Sequence, residues 1–377
     1  MKKIITLLLI VFLYGCSQTE KKNTEIEPSE KTISDFIKLV ENDLNDDNIG
    51  GSISLVILKG DKIIDSRVFG LVSSDSEALA DSSTIYRIGS ITKSFTGFLL
   101  LKLHQDKILN LDDPIEKYLP EIKTLVDYQK YPPISFKQLA SHTSGLDRES
   151  RNRDVNFGKV EEWEQKVLRA IPETSFRSKP DERFGYSNIA YAILGLAISR
   201  AADKPYIELV KEKILGPLEM SNTYFEIPET QKTNLAGGMG GGPTAEIDYE
   251  LSLREHNGRG YRVPNGGLYS TPNDMAKFMK ACMGYTEILN KASIQLLQTT
   301  QTPTTRLRSN YSTGFDLYSS QGIHTVGHGG STPGYSAHFE FEKNSEYGII
   351  IMRNYNFGNT NLDLRSNAIL RKLTLIK

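Results

Sequence analysis

The chain has 377 residues, enough for two domains or one large interleaved unit. Hydrophobic residues make up 38% of it and charged residues 24%, the balance of an ordinary globular protein. A formal charge of −1 with scattered lysines and arginines argues against nucleic acid or a strongly acidic partner, and two cysteines are too few for a disulfide framework.

Lys2-Lys3 is a positive start and Ile4 to Leu13 an apolar run. The run is too short to cross a hydrocarbon core of about 30 Å, so residues 1–15 read as an export signal peptide rather than a membrane span. Leu13-Tyr14-Gly15-Cys16 resembles a bacterial lipobox. That resemblance implies lipidation of Cys16, which would make the mature chain an exported bacterial lipoprotein held at the cell envelope, on a membrane surface facing the periplasm or the outside. Residues 16–31 are polar and read as a disordered tether.

Ile33 to Leu44 then has helical spacing, and Ile53 to Lys59, Gly60-Asp61 and Lys62 to Phe69 read as a strand hairpin. Phe95 to Leu103 is a buried helix. The stretch from about Asp106 to Arg262 is mostly helical pattern cut by proline and glycine. Its glycine-dense segment, Gly237 to Pro243, lacks the Lys-Ser/Thr ending of a phosphate loop and reads as a mobile loop. A helix follows Pro272 to about Met283, and Cys282 on it reads as a small buried apolar residue. Ile323 to Val326, Tyr335 to Phe341 and Tyr347 to Met352 are strands, the last two a hairpin around Lys343-Asn344-Ser345. Leu362 to Ile376 closes the chain as an amphipathic helix.

Strands at both ends with helices between them predict an α+β fold. Residues 32–105 and 263–377 would form an antiparallel sheet flanked by the N- and C-terminal helices, and residues 106–262 a mostly helical insertion.

The chemistry starts at Ser90-Ile91-Thr92-Lys93, the one Ser-x-x-Lys in the chain. Residues three apart share a helix face, so a serine hydroxyl and an amine would meet at a helix N-terminus. That is one way to activate a nucleophile without a His-Asp pair. Alone the motif is weak, because average composition predicts about one or two by chance in a chain this long. Two further motifs strengthen it: Tyr186-Ser187-Asn188, the one Tyr-x-Asn among eighteen tyrosines, and His328-Gly329-Gly330, between two strand signals.

In this order the three motifs resemble those of the serine β-lactamase-like hydrolases: class C β-lactamases, D-alanyl-D-alanine carboxypeptidases, D-aminopeptidases and related esterases. Leu139-Ala140-Ser141-His142-Thr143-Ser144-Gly145-Leu146, Gly216 to Met220 and Gly266 to Pro272 are also similar to family segments, and the likeness extends over about residues 32–377. The resemblance implies a β-lactamase/transpeptidase-like fold in which Ser90 becomes acylated. Lys93 would take the serine proton directly or by polarising Tyr186. Between an ammonium and a phenol in contact, phenolate is the expected form, which makes Tyr186 the carrier of the proton to the leaving group. Asn188 would orient Lys93 and bind the substrate amide. The N–H groups of Ser90 and Ser331 would form the oxyanion hole beside His328, Gly329 and Gly330. No metal or organic cofactor is implied.

Two other readings are weaker. His142 and Ser144 could pair as base and nucleophile, but no Gly-x-Ser-x-Gly elbow accompanies them. His324 and His328 have a four-residue spacing that suits metal ligands on a helix, but strand pattern surrounds them.

The third motif separates reactions. Where class C β-lactamases usually carry Lys-Thr-Gly, this chain has His-Gly-Gly, which replaces a fixed cation by a near-neutral ring and removes a hydroxyl that family members use to bind a substrate carboxylate. Ser331, Thr332, Arg353 and Asn354 are the candidates to replace it. The first reading is therefore a penicillin-binding D-amino-acid peptidase or an esterase acting on a small-molecule, peptide or ester substrate. A β-lactamase is the second reading, and a penicillin-binding sensor that acylates without turnover is the third.

Overall fold

The computed structural model describes residues 27–376 apart from 75, 242–246 and 304–308. Residues 1–26, on which the expected signal peptide and Cys16 fall, lie outside the described residues. Helix α1 spans Pro28–Asp47, with proline in its first turn, where a missing N–H leaves no intrahelical bond unmade. It begins within the segment expected as tether. Phe36 and Val40, one turn apart, are buried and anchor it.

Strands β1 (Ser52–Lys59) and β2 (Lys62–Gly70) follow as the expected hairpin, with Gly60 at φ +60° in the turn. A short strand β3 (Tyr86–Arg87) and a 3₁₀ turn over Gly89–Ile91 lead into helix α2 (Thr92–Gln105). The middle of the chain holds short helices α3 (Phe136–Ala140), α4 (Trp163–Ala170), α5 (Asn188–Ala202), α6 (Tyr206–Val210) and α7 (Tyr249–His256). Helix α8 (Val263–Gly266) leads to β4 (Tyr269–Ser270), which pairs with β3, and then to α9 (Pro272–Met283) and α10 (Lys291–Leu297). The chain returns to the sheet as β5 (Ser309–Tyr311), β6 (Asp316–Ser320), β7 (Ile323–Thr332), β8 (Tyr335–Glu342) and β9 (Tyr347–Arg353), and ends in α11 (Leu362–Leu375).

The strand order of the seven-stranded sheet is β2-β1-β9-β8-β7-β6-β5, antiparallel throughout. The N-terminal hairpin therefore pairs with the last strand, and both ends of the chain build one sheet, the α+β architecture expected. Strands β5 and β6, which the sequence pattern does not announce, extend it beyond β7.

β1 explains why the sheet needs helices on both faces. Ile53, Leu55 and Ile57 lie in a core with Phe36, Val40, Ile349, Ile351 and Leu370, beneath α1 and α11. Val56 and Leu58 join the larger core that holds α2, α5 and α9. Burying each such aliphatic side chain contributes roughly 1.5–3 kcal/mol. In the larger core Phe95 stacks on Phe278, with ring centroids 3.7 Å apart. Helix α2 is apolar on almost every side because it runs through this core, and Cys282 is buried in it as expected. Gly97 lets α2 approach the connection between β5 and β6: a Cβ there would fall 1.9 Å from the Thr313 carbonyl oxygen.

The glycine-dense segment departs from the mobile-loop reading over its described part. The Gly237 and Met239 N–H groups donate to the Val72 and Asn354 carbonyls, and Met239 is fully buried. Gly238 is pressed so close to Tyr335 that a Cβ would fall 2.5 Å from the ring, so the glycines serve close packing. Residues 242 and 243 lie outside the described residues. No helix among the described residues is long and apolar enough to cross a membrane.

Candidate active site

Ser90 sits in the 3₁₀ turn that opens α2, and Lys93 in the first turn of that helix. The turn is fixed from two sides. The Thr92 hydroxyl donates back to the Gly89 carbonyl and accepts the Leu268 N–H. Gly89, at φ +51°, and Gly330 let β7 press against it: a Cβ on Gly330 would lie 2.0 Å from the Ile88 oxygen and 3.2 Å from the Ser90 nitrogen. A Cβ on Gly89 would be 3.0 Å from the Ser331 nitrogen. The backbone nitrogens of Ser90 and Ser331 are thereby brought to adjoining walls of one cleft. That cleft has a volume of about 700 Å³ and is lined by Ser90, Tyr186, Asn188, His328, Gly329 and Ser331 among others. A larger hollow of about 1030 Å³ near Ile207 and Phe225 contains none of the site residues.

Lys93 is fully buried, and its Nζ lies 3.1 Å from Ser90 Oγ and 3.0 Å from the Asn265 carbonyl oxygen. It also stands 4.7 Å from the centre of the Tyr186 ring. Among the described residues no carboxylate bonds it. Burial, reinforced by the charge of Arg259, holds this amine well below the usual lysine range. Tyr186 moves the other way: burial pushes its phenol up, against an opposing hydrogen bond with Ser90. The expectation of a phenolate is thus reversed. Each group loses water, and burial favours the neutral form of both, which makes the amine the candidate base.

Asn188 opens α5, which Ser187 caps by accepting the Ala190 N–H at 3.1 Å. Its amide donates to Glu149 and not to Lys93, and its Oδ1 is buried without a hydrogen-bond partner. Lys93 is oriented instead by the Asn265 carbonyl. Glu149 is held by Tyr261 and Arg262, and its carboxyl lies below the ordinary range because those hydrogen bonds and the Arg262 charge outweigh burial.

His328 is 2% exposed. Its Nδ1 lies 2.6 Å from the Gly329 carbonyl oxygen, which requires Nδ1–H to donate, so the Tyr311 hydroxyl donates to Nε2 at 2.9 Å. Burial pushes its pKa down to about 3, so the ring is neutral. His324 lies four residues along the same strand, about 13 Å away at the usual rise, and its ring bonds Ser319 instead. His142 is buried, with Nδ1 accepting the Ser187 N–H and its ring against Tyr186, Tyr191 and Tyr311. It braces the tyrosine wall.

The candidates to replace the missing third-motif hydroxyl divide. Ser331 faces the cleft. Arg353 and Asn354 do not: Arg353 pairs with Asp47, and Asn354 ties Ser52, Val72 and Gly237 together. Thr332 is buried.

A family model for beta-lactamases matches residues 36–373. The chain belongs to the beta-lactamase family. Among curated proteins of this kind, it is 28% identical over 325 residues to Protein flp of Staphylococcus aureus strain N315, covering 85% of this chain and 62% of the relative. It is 29% identical over 268 residues to Beta-lactamase-like protein 4 of Dictyostelium discoideum, covering 67% of this chain and 46% of that one. The chain therefore spans at most about three fifths of the length of these curated relatives. In fold it is similar to an octameric penicillin-binding protein homologue from Pyrococcus abyssi, with TM-score 0.74, 23% identity, and coverage of 91% of this chain and 77% of the other. A class C beta-lactamase matches with TM-score 0.74 and 19% identity over 93% of this chain and 96% of the other.

The beta-lactamase fold also brings residues to the cleft that motif reading missed: Arg148, Glu149, Arg259, Arg262, Asn265 and Asp316. Three of them lie beside segments already similar to the family, since Arg148 and Glu149 come two and three residues after Leu146 and Asn265 precedes Gly266. Arg148 is exposed, with its guanidinium 5.0 Å from the Tyr186 ring centre.

Proposed function

We propose that this beta-lactamase-family serine hydrolase forms an acyl-enzyme on Ser90 and acts at the cell envelope as a D-amino-acid peptidase or esterase, tethered by a lipid on Cys16. The observation that carries this reading is Lys93 Nζ, buried and held toward its neutral form, 3.1 Å from Ser90 Oγ. The amine lone pair takes the serine proton as Oγ bonds the substrate carbonyl carbon. The developing oxyanion is met by the N–H groups of Ser90 and Ser331. Tyr186, as a neutral phenol bonded to Ser90, donates its proton to the leaving amine or alcohol and recovers one from the Lys93 ammonium. Water then repeats the sequence in reverse and frees Ser90. Asn188 Oδ1 is the natural acceptor for a substrate amide N–H.

Neutral His328 supplies no charge to a substrate carboxylate. Arg148 and Ser331 face the cleft and support binding of an anionic or polar leaving side instead. A second reading, β-lactam hydrolysis, is favoured by the likeness in fold to a class C beta-lactamase. A panel assay separates them, using a D-Ala-D-Ala peptide, a D-aminoacyl amide, a short-chain nitrophenyl ester and nitrocefin, each with wild type and Ser90→Ala. The proposal expects Ser90-dependent turnover of a peptide, amide or ester with nitrocefin slower. Turnover of nitrocefin alone selects the second reading, and turnover that survives Ser90→Ala refutes both.

A further inference from the structure

A second cluster of chemistry lies between β8 and α11, away from Ser90. Alternate β8 residues His338 and Glu340 face α11, and Asp363 in the first turn of that helix meets them. His338 Nε2 is 3.5 Å from Glu340 Oε2 and 3.8 Å from Asp363 Oδ1, and the three ligand atoms lie within 4.8 Å of one another. Groups bonded directly to each other with charge assistance close to about 2.7–2.9 Å. Two ligand atoms at about 2.0–2.1 Å from a shared tetrahedral ion stand roughly 3.3 Å apart. The observed spacing matches ligands around an ion better than a closed ion pair.

Two observations add to the spacing. His338 is 7% exposed, and its Nε2 is buried, aimed at both carboxylates and without a hydrogen-bond partner. The carboxylates are also held in place by neighbouring donors. Asn367 Nδ2 donates to Glu340 Oε2 and to Asp363 Oδ1, each at 3.1 Å, and the Thr325 hydroxyl donates to Glu340 Oε1. Such outer contacts are characteristic of metal ligands. Asp316 sits in register with Gly327 and, across it, Glu340.

We infer that His338, Glu340 and Asp363 bind one divalent transition metal ion of the zinc class, joining the sheet to the C-terminal helix. One imidazole with two carboxylates suits such an ion better than calcium or magnesium, which prefer all-oxygen sets. The dication neutralises the two carboxylates, and the exposed side of Asp363 leaves a further position to water. His338 pairs in register with Gly329, so the ion sits one strand behind the cleft and outside the Ser90 chemistry.

The test uses untagged protein stripped by a chelator, titrated with Co(II) by visible absorption and with Zn(II) by calorimetry, with Tm followed in parallel. The expected result is one saturable ion per chain, cobalt bands of a low-coordinate nitrogen/oxygen site, and a higher Tm with metal. Asp363→Asn and His338→Gln should each weaken binding by about tenfold or more and abolish the rise in Tm, with Ser90 acylation unchanged. Asp363 is largely exposed, so Asp363→Asn should keep the Tm of the stripped wild type. Absence of saturable binding at millimolar metal, or binding unchanged in both variants, overturns the inference.

Discussion

Lys93 in the cleft and Arg353 at the seam beneath α1 are both removed from water, at 0% and 5% exposure, yet they are surrounded in opposite ways. Arg353 faces Asp47 at 3.5 Å, donates to the Thr360 carbonyl at 3.2 Å and lies over the Tyr355 ring. Asp47 in turn accepts from Tyr355 and from the Asn359 backbone. Among the described residues, Lys93 meets a hydroxyl and a carbonyl but no bonded carboxylate. A guanidinium cannot give up its proton, so the seam supplies a countercharge. An amine can, so the cleft is able to leave it without one. The difference separates a cation placed to stabilise from an amine proposed to react.

The largest effect that could break this contrast is Lys93→Met. It removes the free base without burying an unpaired charge, so Ser90 acylation should fall by about 10²–10⁴-fold in protein that stays folded. Retention of more than a tenth of the rate would place the base elsewhere. The seam should respond in stability rather than rate. Asp47→Ala leaves the Arg353 charge buried and should lower unfolding free energy by about 3–5 kcal/mol in a denaturant titration, while acylation persists in the folded fraction. The smallest effect sets the scale for exposed pairs. Lys117, 3.2 Å from Asp113 and largely in solvent, should give a Lys117→Ala change too small to resolve in a denaturant titration.

Much of the candidate catalytic set is legible in the sequence because it is local. Ser90 and Lys93 share a helix turn, Tyr186 and Asn188 flank an N-cap, and His328-Gly329-Gly330 lies along one strand. The hairpins at both ends likewise announced a single sheet. What the sequence concealed depends on three dimensions. The Asn265 carbonyl that holds Lys93 is a backbone atom and has no residue-type signature. Tyr311 and Asp316 arrive on β5 and β6, which are too short and polar to stand out. The direction of the Lys93 and Tyr186 shifts depends on how completely each is enclosed, so pairing the two residue types on paper suggested phenolate where burial favours the amine. The start of α1 was readable in Pro28, but the polar composition around it masked the signal.

The rate of Ser90 acylation as a function of pH, followed by intact-mass spectrometry in wild type and Tyr186→Phe, tests the central claim most directly. Lys93 is protonated and inactive below its lowered pKa and free above it, so acylation should rise with pH and reach its plateau well below the ordinary lysine value. His328, titrating at about 3, adds no limb near neutrality. Tyr186 stays protonated across the range, so Tyr186→Phe should lower the plateau and leave the midpoint in place. A midpoint that disappears in Tyr186→Phe, or a rise that comes only near pH 10, would contradict a neutral Lys93 as the base.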